Sequence, residues 1–214
     1  FTDIVRKLPS REVRFEVTDL FRTVILSGTA EIQIAGMDPG EYPSLPRIAE
    51  NQTVTLSSDV LKSMINQVAF AVSTNEATPV LTGVLWTLEN RMLKFVATDR
   101  HRLSTIEREI ECPEDLRFHN VVIPGKNLSE LSKILPEQDA LIDIVVADHQ
   151  VLFRTGNILF FTRILDGTYP DTSKIIPKTY KTEAVFQVKP LMDSIDRAFL
   201  LSREEKTNIV KLVA

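Results

Sequence analysis

Asp99, His101 and Ser104 stand within six residues of one another, and these are the side-chain types of a hydrolytic triad. A triad needs its groups to converge from separate elements, so that the acid orients the base and the base touches the nucleophile. If this stretch runs as a strand, Asp99 and His101 lie on one face and Ser104 on the other. The three then cannot stack as nucleophile, base and orienter, and no catalytic residue is expected. His101, His119 and His149 lack metal-ligand spacing, and the single cysteine, Cys112, cannot build a thiolate site. No G-x-x-x-x-G-K-[ST] loop occurs, and seven glycines leave little for a nucleotide cradle. Neither metal nor cofactor is expected. The chemistry of this chain is that of a binding protein.

The composition agrees. Of 214 residues, 43% are hydrophobic and 25% charged, the balance of a soluble globular protein with a real core. A formal net charge of -4 argues against a surface that grips nucleic acid everywhere, while leaving room for a local basic face. No run of about 18 apolar residues and no signal peptide is present, so no membrane partner is expected. One cysteine fits a reducing compartment, and a cytoplasmic location is expected.

The elements that would position binding groups can be read from periodicity. QTVTL at 52–56 predicts a strand, and Ser57 or Ser58 offers an oxygen to cap the helix that follows. Val60, Leu61, Met64, Ile65, Val68 and Ala69 form its apolar face, opposite Lys62, Ser63, Asn66 and Gln67. VLTGVLWTLE, MLKFVATD and HRLSTIEREI predict strands, the last with Leu103, Thr105 and Glu107 alternating with Ser104, Ile106 and Arg108. NVVIP at 120–124 predicts another. A second helix is expected over about 126–135, apolar at Leu128, Leu131, Ile134 and Leu135, polar at Lys126, Ser129, Glu130 and Lys133. DIVVAD, QVLFRTG and ILFFTRIL complete the unit. Two helices among short, antiparallel-looking strands predict an α+β domain in which sheet covers a helix pair.

The chain also repeats itself. Leu8-Pro9 matches Leu135-Pro136 at an offset of 127, and Gly40, Tyr42 and Pro43 match Gly167, Tyr169 and Pro170 at the same offset. TVILSG at 23–28 faces VLFRTG at 151–156, offset 128. At offset 129, Ala69, Phe70, Ser73 and Glu76 meet Ala198, Phe199, Ser202 and Glu205, and PVLTGV at 79–84 lines up with NIVKLV at 208–213. Four blocks in one order, drifting by two residues, mark a repeat of domain size rather than a solenoid. The expected division is a domain tail (1–50), a complete domain (51–178) and a domain start (179–214). The chain opens on Phe1 in what reads as a helix, which predicts further sequence upstream.

ATDRHRL at 97–103, PVLTGV, VVIPGK at 121–126, EYPSLP at 41–46 and LDGTYPD at 165–171 resemble the bacterial DNA polymerase III beta subunit family, the replication sliding clamps, in their Gram-positive form. The resemblance runs along essentially the whole chain. It implies three similar domains per subunit and two subunits closed head-to-tail into a ring, with helices lining the hole and sheets outside. The three segments then become the end of domain 1, all of domain 2 and a truncated domain 3. The implied role is a processivity factor, not an enzyme: a homodimeric ring that slides on double-stranded DNA and tethers polymerase, clamp loader and repair proteins through short peptide motifs. A fragment stopping early in domain 3 is expected to bind peptides weakly and to form no ring. The alternative is a β-rich peptide-binding adaptor that never encircles DNA.

Two sets of residues follow from the resemblance. Lys62, Lys126, Lys133, Lys189 and Arg197 would face DNA, where they can touch phosphates without reading bases. The competing reading is an ordinary solvated helix face. Leu81, Thr98, Arg100, His101, Arg102, Leu103, Pro170, Lys174 and Ile175 would form the partner-peptide pocket, apolar walls with a few orienting polar groups. Plain core packing competes for Leu81 and Leu103. Two positions depart from the family pattern: Arg100 stands where a small residue is usual, and Thr78 where an arginine is usual. The implied expectation is that a rim cation has moved from one position to the other.

Overall fold

The computed structural model describes residues 1–214 apart from 19, 43–52, 138–139, 178, 205–208 and 214. In chain order its elements are α1 (Thr2–Val5), β1 (Arg14–Val17), β2 (Arg22–Ser27), β3 (Ala30–Ala35), β4 (Thr53–Ser57), α2 (Ser58–Val68), β5 (Gly83–Glu89) and β6 (Met92–Thr98). They continue with β7 (Leu103–Glu109), β8 (Phe118–Pro124), α3 (Gly125–Ile134), β9 (Leu141–Val146), β10 (Gln150–Thr155), β11 (Ile158–Arg163) and α4 (Val188–Glu204). The strands form three antiparallel sheets, ordered β1-β2-β3, β11-β10-β9-β4 and β7-β6-β5-β8. This is the expected α+β class.

Alternating side chains of the two larger sheets and the apolar stripes of α2 and α3 share one core. In α2 the buried apolar residues are Leu61, Met64, Ile65 and Val68, a three- and four-residue rhythm that keeps one face inward. Ser57 caps this helix, its hydroxyl oxygen accepting the Val60 amide at 3.4 Å. In α3 the buried stripe is Leu128 and Leu131, continued by Leu135 just past the helix; Ile134, expected inward, is 45% exposed. One residue is a 100° step around a helix, and the stripe through 128, 131 and 135 leaves 134 at its margin. Trp86 of β5 stacks on Phe95 of β6 at 3.9 Å and meets Phe153 of β10 edge-on at 5.9 Å, so one indole ties the two sheets together. Burying a side chain such as Phe95 or Phe153 contributes about 1.5–3 kcal/mol.

Several predicted boundaries shift. The stretch from Val80 was expected to begin a strand, but Pro79–Thr82 form a 3-10 turn, closed by the Thr82 hydroxyl donating to the Pro79 carbonyl at 2.7 Å, and β5 starts at Gly83. The FTDIVRKLPS helix is one turn, α1. Phe118 and His119 extend the 120–124 strand backward, and β9 begins two residues before Asp143.

The repeat is visible as geometry. β2 and β3 lie 128 positions before β10 and β11 at every end: 22 and 150, 27 and 155, 30 and 158, 35 and 163. Both hairpins turn through a left-handed glycine, Gly28 (φ 57°) and Gly156 (φ 53°), where a side chain would be strained. The anchors Pro43, Glu205 and Asn208, most of EYPSLP, Gln52 and the boundaries at 50/51 and 178 lie outside the described residues.

Candidate functional site

The link between β6 and β7 is built by two side chains. Thr98 is paired with Leu103 across the strands, leaving Asp99–Arg102 as the loop. The Thr98 hydroxyl accepts the Arg100 amide at 3.1 Å and donates to the Arg102 carbonyl at 2.7 Å. One carboxylate oxygen of Asp99 accepts the amides of His101 and Arg102, each at 2.9 Å, and the other takes the Arg102 Nε at 3.1 Å. Those bonds to the charged form, from the Arg102 amide first and the His101 amide next, hold the Asp99 carboxyl below its ordinary range. This corrects the expectation that Asp99 and His101 share a strand face. An aspartate that bonds its own backbone two and three residues on makes a turn.

The turn presents Arg100 and His101 outward. Arg100 holds the left-handed conformation, φ 77°, and is exposed. Its Nη2 donates to the Thr78 hydroxyl at 3.4 Å, so the two positions that depart from the family pattern meet on one side of a concavity. That concavity, about 310 Å³, has Leu81 in its wall with Thr78, Asp99, Arg100 and His101 on one side and the 73–75 loop on the other. The loop is stiffened from within: the Ser73 hydroxyl accepts the Asn75 amide at 3.0 Å, and the Asn75 side-chain oxygen Oδ1 accepts the Ala77 amide at 2.9 Å. The Ser73 amide in turn donates to the Leu81 carbonyl.

Behind the turn lies a small second core of Leu81, Val96, Val122 and Tyr169, with Leu103 packed against it. Leu81 is both core and cavity wall. The Thr98 amide donates to the Tyr169 phenol oxygen at 3.1 Å, and the phenol lies 3.5 Å from the Gly83 carbonyl. Burial pushes the Tyr169 phenol above its ordinary value of 10.0, partly offset by the Thr98 amide. Asn120, left-handed at φ 55°, grips the same segment. Its side-chain amide donates to the Gly167 carbonyl at 3.0 Å, and its oxygen accepts the Tyr169 amide at 3.2 Å.

Of the nine expected pocket residues, the structure brings Leu81, Arg100 and His101 to the concavity. Thr98 is buried and holds the turn from inside. Arg102 points elsewhere, pairing with Asp99 and lying 5.7 Å over the Phe70 ring. Pro170, Lys174 and Ile175 are exposed and outside the lining, with Lys174 4.0 Å from Asp171. The reading of the sequence missed Asn120 and the site role of Tyr169. Tyr169 stood out as a repeat anchor and within LDGTYPD, and no local pattern marks Asn120.

The five expected DNA-facing cations lie on α2, α3 and α4. Asn66 of α2 accepts a hydrogen bond from Ser132 of α3 at 3.3 Å, joining the polar sides of the two helices. Lys126 is exposed and Lys62 half-buried; Lys133 is paired to Glu130 at 2.8 Å and Lys189 to Asp193 at 3.5 Å. Arg197 donates to the Ser194 hydroxyl at 3.1 Å. Among the described residues no cluster of three or more metal-ligating side chains occurs, and no helix is long and apolar enough to cross a membrane.

The arrangement defines a class before it defines a family: antiparallel sheets backing a pair of amphipathic helices, with a small concavity beside the β6–β7 turn. The model of the DNA polymerase III beta subunit central domain matches residues 55–171, and that of the family's N-terminal domain matches residues 1–46. The beta sliding clamp of Bacillus subtilis is 50% identical over all 214 residues, and that of Halalkalibacterium halodurans 47% identical over 213. The chain covers 56% of each of those relatives, so it spans about half their length. The crystal structure of the DNA polymerase sliding clamp from Bacillus subtilis superposes with a TM-score of 0.87 at 48% identity, over 95% of this chain and 53% of that one. The DNA polymerase III beta chain of Streptococcus pneumoniae gives 0.83 at 40% identity, over 94% and 53%. The chain belongs to the DNA polymerase III beta subunit family.

Proposed function

We propose that this chain is a section of a ring-shaped sliding clamp, a processivity factor that encircles duplex DNA and tethers replication and repair proteins without catalysing a reaction itself. The observation that carries the reading is the joined polar side of α2 and α3, backed by sheets, in a chain whose hairpins recur at a domain-sized offset. Residues 1–50 are then the end of one domain, 51–178 a complete domain and 179–214 the start of a third. The intact subunit pairs with a second copy to close the ring, and works in the cytoplasm at the replication fork.

Sliding needs attraction without grip. Lys62, Lys126, Lys133, Lys189 and Arg197 face the duplex in this reading and meet phosphates, which carry no sequence information directly. Glu130 and Asp193 already hold Lys133 and Lys189, which lowers their pull on phosphate. Each fully engaged phosphate contact would add about one counterion to the salt dependence of binding, so partly neutralised lysines favour a mobile ring.

The concavity beside Leu81, Arg100 and His101 docks short peptide segments of partner proteins, with Thr98, Arg102 and Leu103 holding its wall and Pro170, Lys174 and Ile175 at its margin. In primer extension with the partner polymerase and clamp loader, the full-length protein is expected to lengthen products made in a single binding event. The variant Thr74→Trp, which fills the concavity from an exposed position, should abolish that gain while leaving the fold intact. Products of unchanged length with the native protein would contradict the proposal.

A further inference from the structure

The concavity holds one unanswered charge. Asp99, its one acidic lining residue, has both carboxylate oxygens occupied: two backbone amides take one and the Arg102 Nε takes the other. Asp99 and Arg102 therefore cancel at 3.1 Å. Arg100 is different. Its guanidinium meets the neutral Thr78 hydroxyl at a long 3.4 Å, and among the described residues no carboxylate pairs with it. The turn that carries it is fixed by the Thr98 and Asp99 bonds, so the cation sits at a defined place on the rim instead of sweeping through solvent.

The wall beside that cation is closed by the buried Leu81, 2% exposed, which adds apolar packing and no polar group. The opposite wall is the 73–75 loop, whose internal bonds keep it in place without adding a charge. A volume of about 310 Å³ is at the low end for ligand pockets, room for a side chain or two of a passing peptide. A planar guanidinium with free donors recognises a carboxylate through two parallel charge-assisted bonds.

We propose that Arg100 is a specificity-determining residue, and that the concavity selects peptides carrying an aspartate or glutamate side chain next to an apolar one. This rests on the reading that the concavity docks partner segments. Thr78 has a supporting part: its hydroxyl steers the guanidinium toward the mouth, so the pair Thr78 and Arg100 acts as one unit.

The test uses the immobilised full-length protein and a random heptapeptide display, followed by C-terminally amidated synthetic copies of the best binder. Amidation leaves the side chain as the only carboxylate of interest. The enriched peptides are expected to carry an acidic residue beside an apolar one. Replacing it by its amide should weaken binding about tenfold on the native protein. On Arg100→Ala the two copies should bind within about twofold of each other, and Arg100→Glu should favour a lysine copy. Equal binding of acid and amide copies to the native protein would overturn the proposal, as would an Arg100→Ala loss of the same size for both. Thr74→Trp separates this failure from that of the docking reading. If it abolishes binding of acid and amide copies that bind alike, docking stands and the charge selection falls. If it leaves binding untouched, the peptides dock elsewhere and both fall.

Discussion

The phenol oxygen of Tyr169 accepts the Thr98 amide at 3.1 Å, so one side chain ties the segment after β11 to the base of the β6–β7 turn. Tyr169→Phe leaves that buried amide without its partner, and is expected to cost about 1–3 kcal/mol in urea unfolding. The phenol is neutral when folded and its pKa is raised. Its contribution is therefore fully present below the unfolded value near 10.0 and is lost as pH rises through the folded value. The native protein should lose stability above about pH 10 more steeply than Tyr169→Phe, a difference that alkaline melts would read. A second test concerns the cation on the rim. Thr78→Arg alone sets two guanidinium groups where a 3.4 Å contact now stands, and Arg100→Ala alone removes the guanidinium that, among the described residues, no carboxylate pairs with. Each single change is expected to weaken peptide affinity, while the double change keeps it; additive losses would show that the two positions do not substitute for each other. Little of this was legible in the sequence. Arg100 and Thr78 stood out as departures 22 residues apart, but their contact depends on how β6 and the 3-10 turn at Pro79 meet. Asn120 gave no signal, because its partners lie 47 and 49 residues away.

Elements were easier to read than contacts because their causes are local. The three- and four-residue rhythm of Leu61, Met64, Ile65 and Val68 is a property of one segment, and α2 forms where that rhythm runs. Ser57 and Ser58 both read as possible caps, and Ser57 is the one that bonds. Ser57→Ala is expected to lower stability by about 0.5–1 kcal/mol in thermal melts, toward the small end for caps because the bond is long. The errors fall where a side chain overrides the pattern. Asp99 and His101, two apart, were expected on one strand face, but Asp99 bonds its own backbone and turns the chain there. Pro79 does the same before β5: its fixed φ suits the first position of a 3-10 turn, and the apolar residues that follow pack without extending. The Asn90–Arg91 link, both residues left-handed at φ 50° and 64°, makes the tight β5–β6 hairpin with an arginine at a position that favours glycine.

At the scale of the molecule, the offset of 128 read from a few matched side chains reappears in both ends of two hairpins. A repeat survives in sequence because each copy must solve the same packing problem. What a repeat cannot convey by itself is how copies are arranged around an axis, and that arrangement is the substance of the proposed function. The chain spans about half the length of its curated relatives, 56% of the Bacillus subtilis protein, so the decisive experiment belongs to the full-length protein. A topological link to DNA has one signature that ordinary affinity lacks: it depends on whether the DNA has ends. The full-length protein, loaded on nicked circular DNA with its clamp loader and ATP, is expected to stay bound through gel filtration at high salt and to be released when the circle is cut once. Loss from the intact circle at the same rate as from linear DNA would contradict encirclement and leave a peptide-binding adaptor in its place.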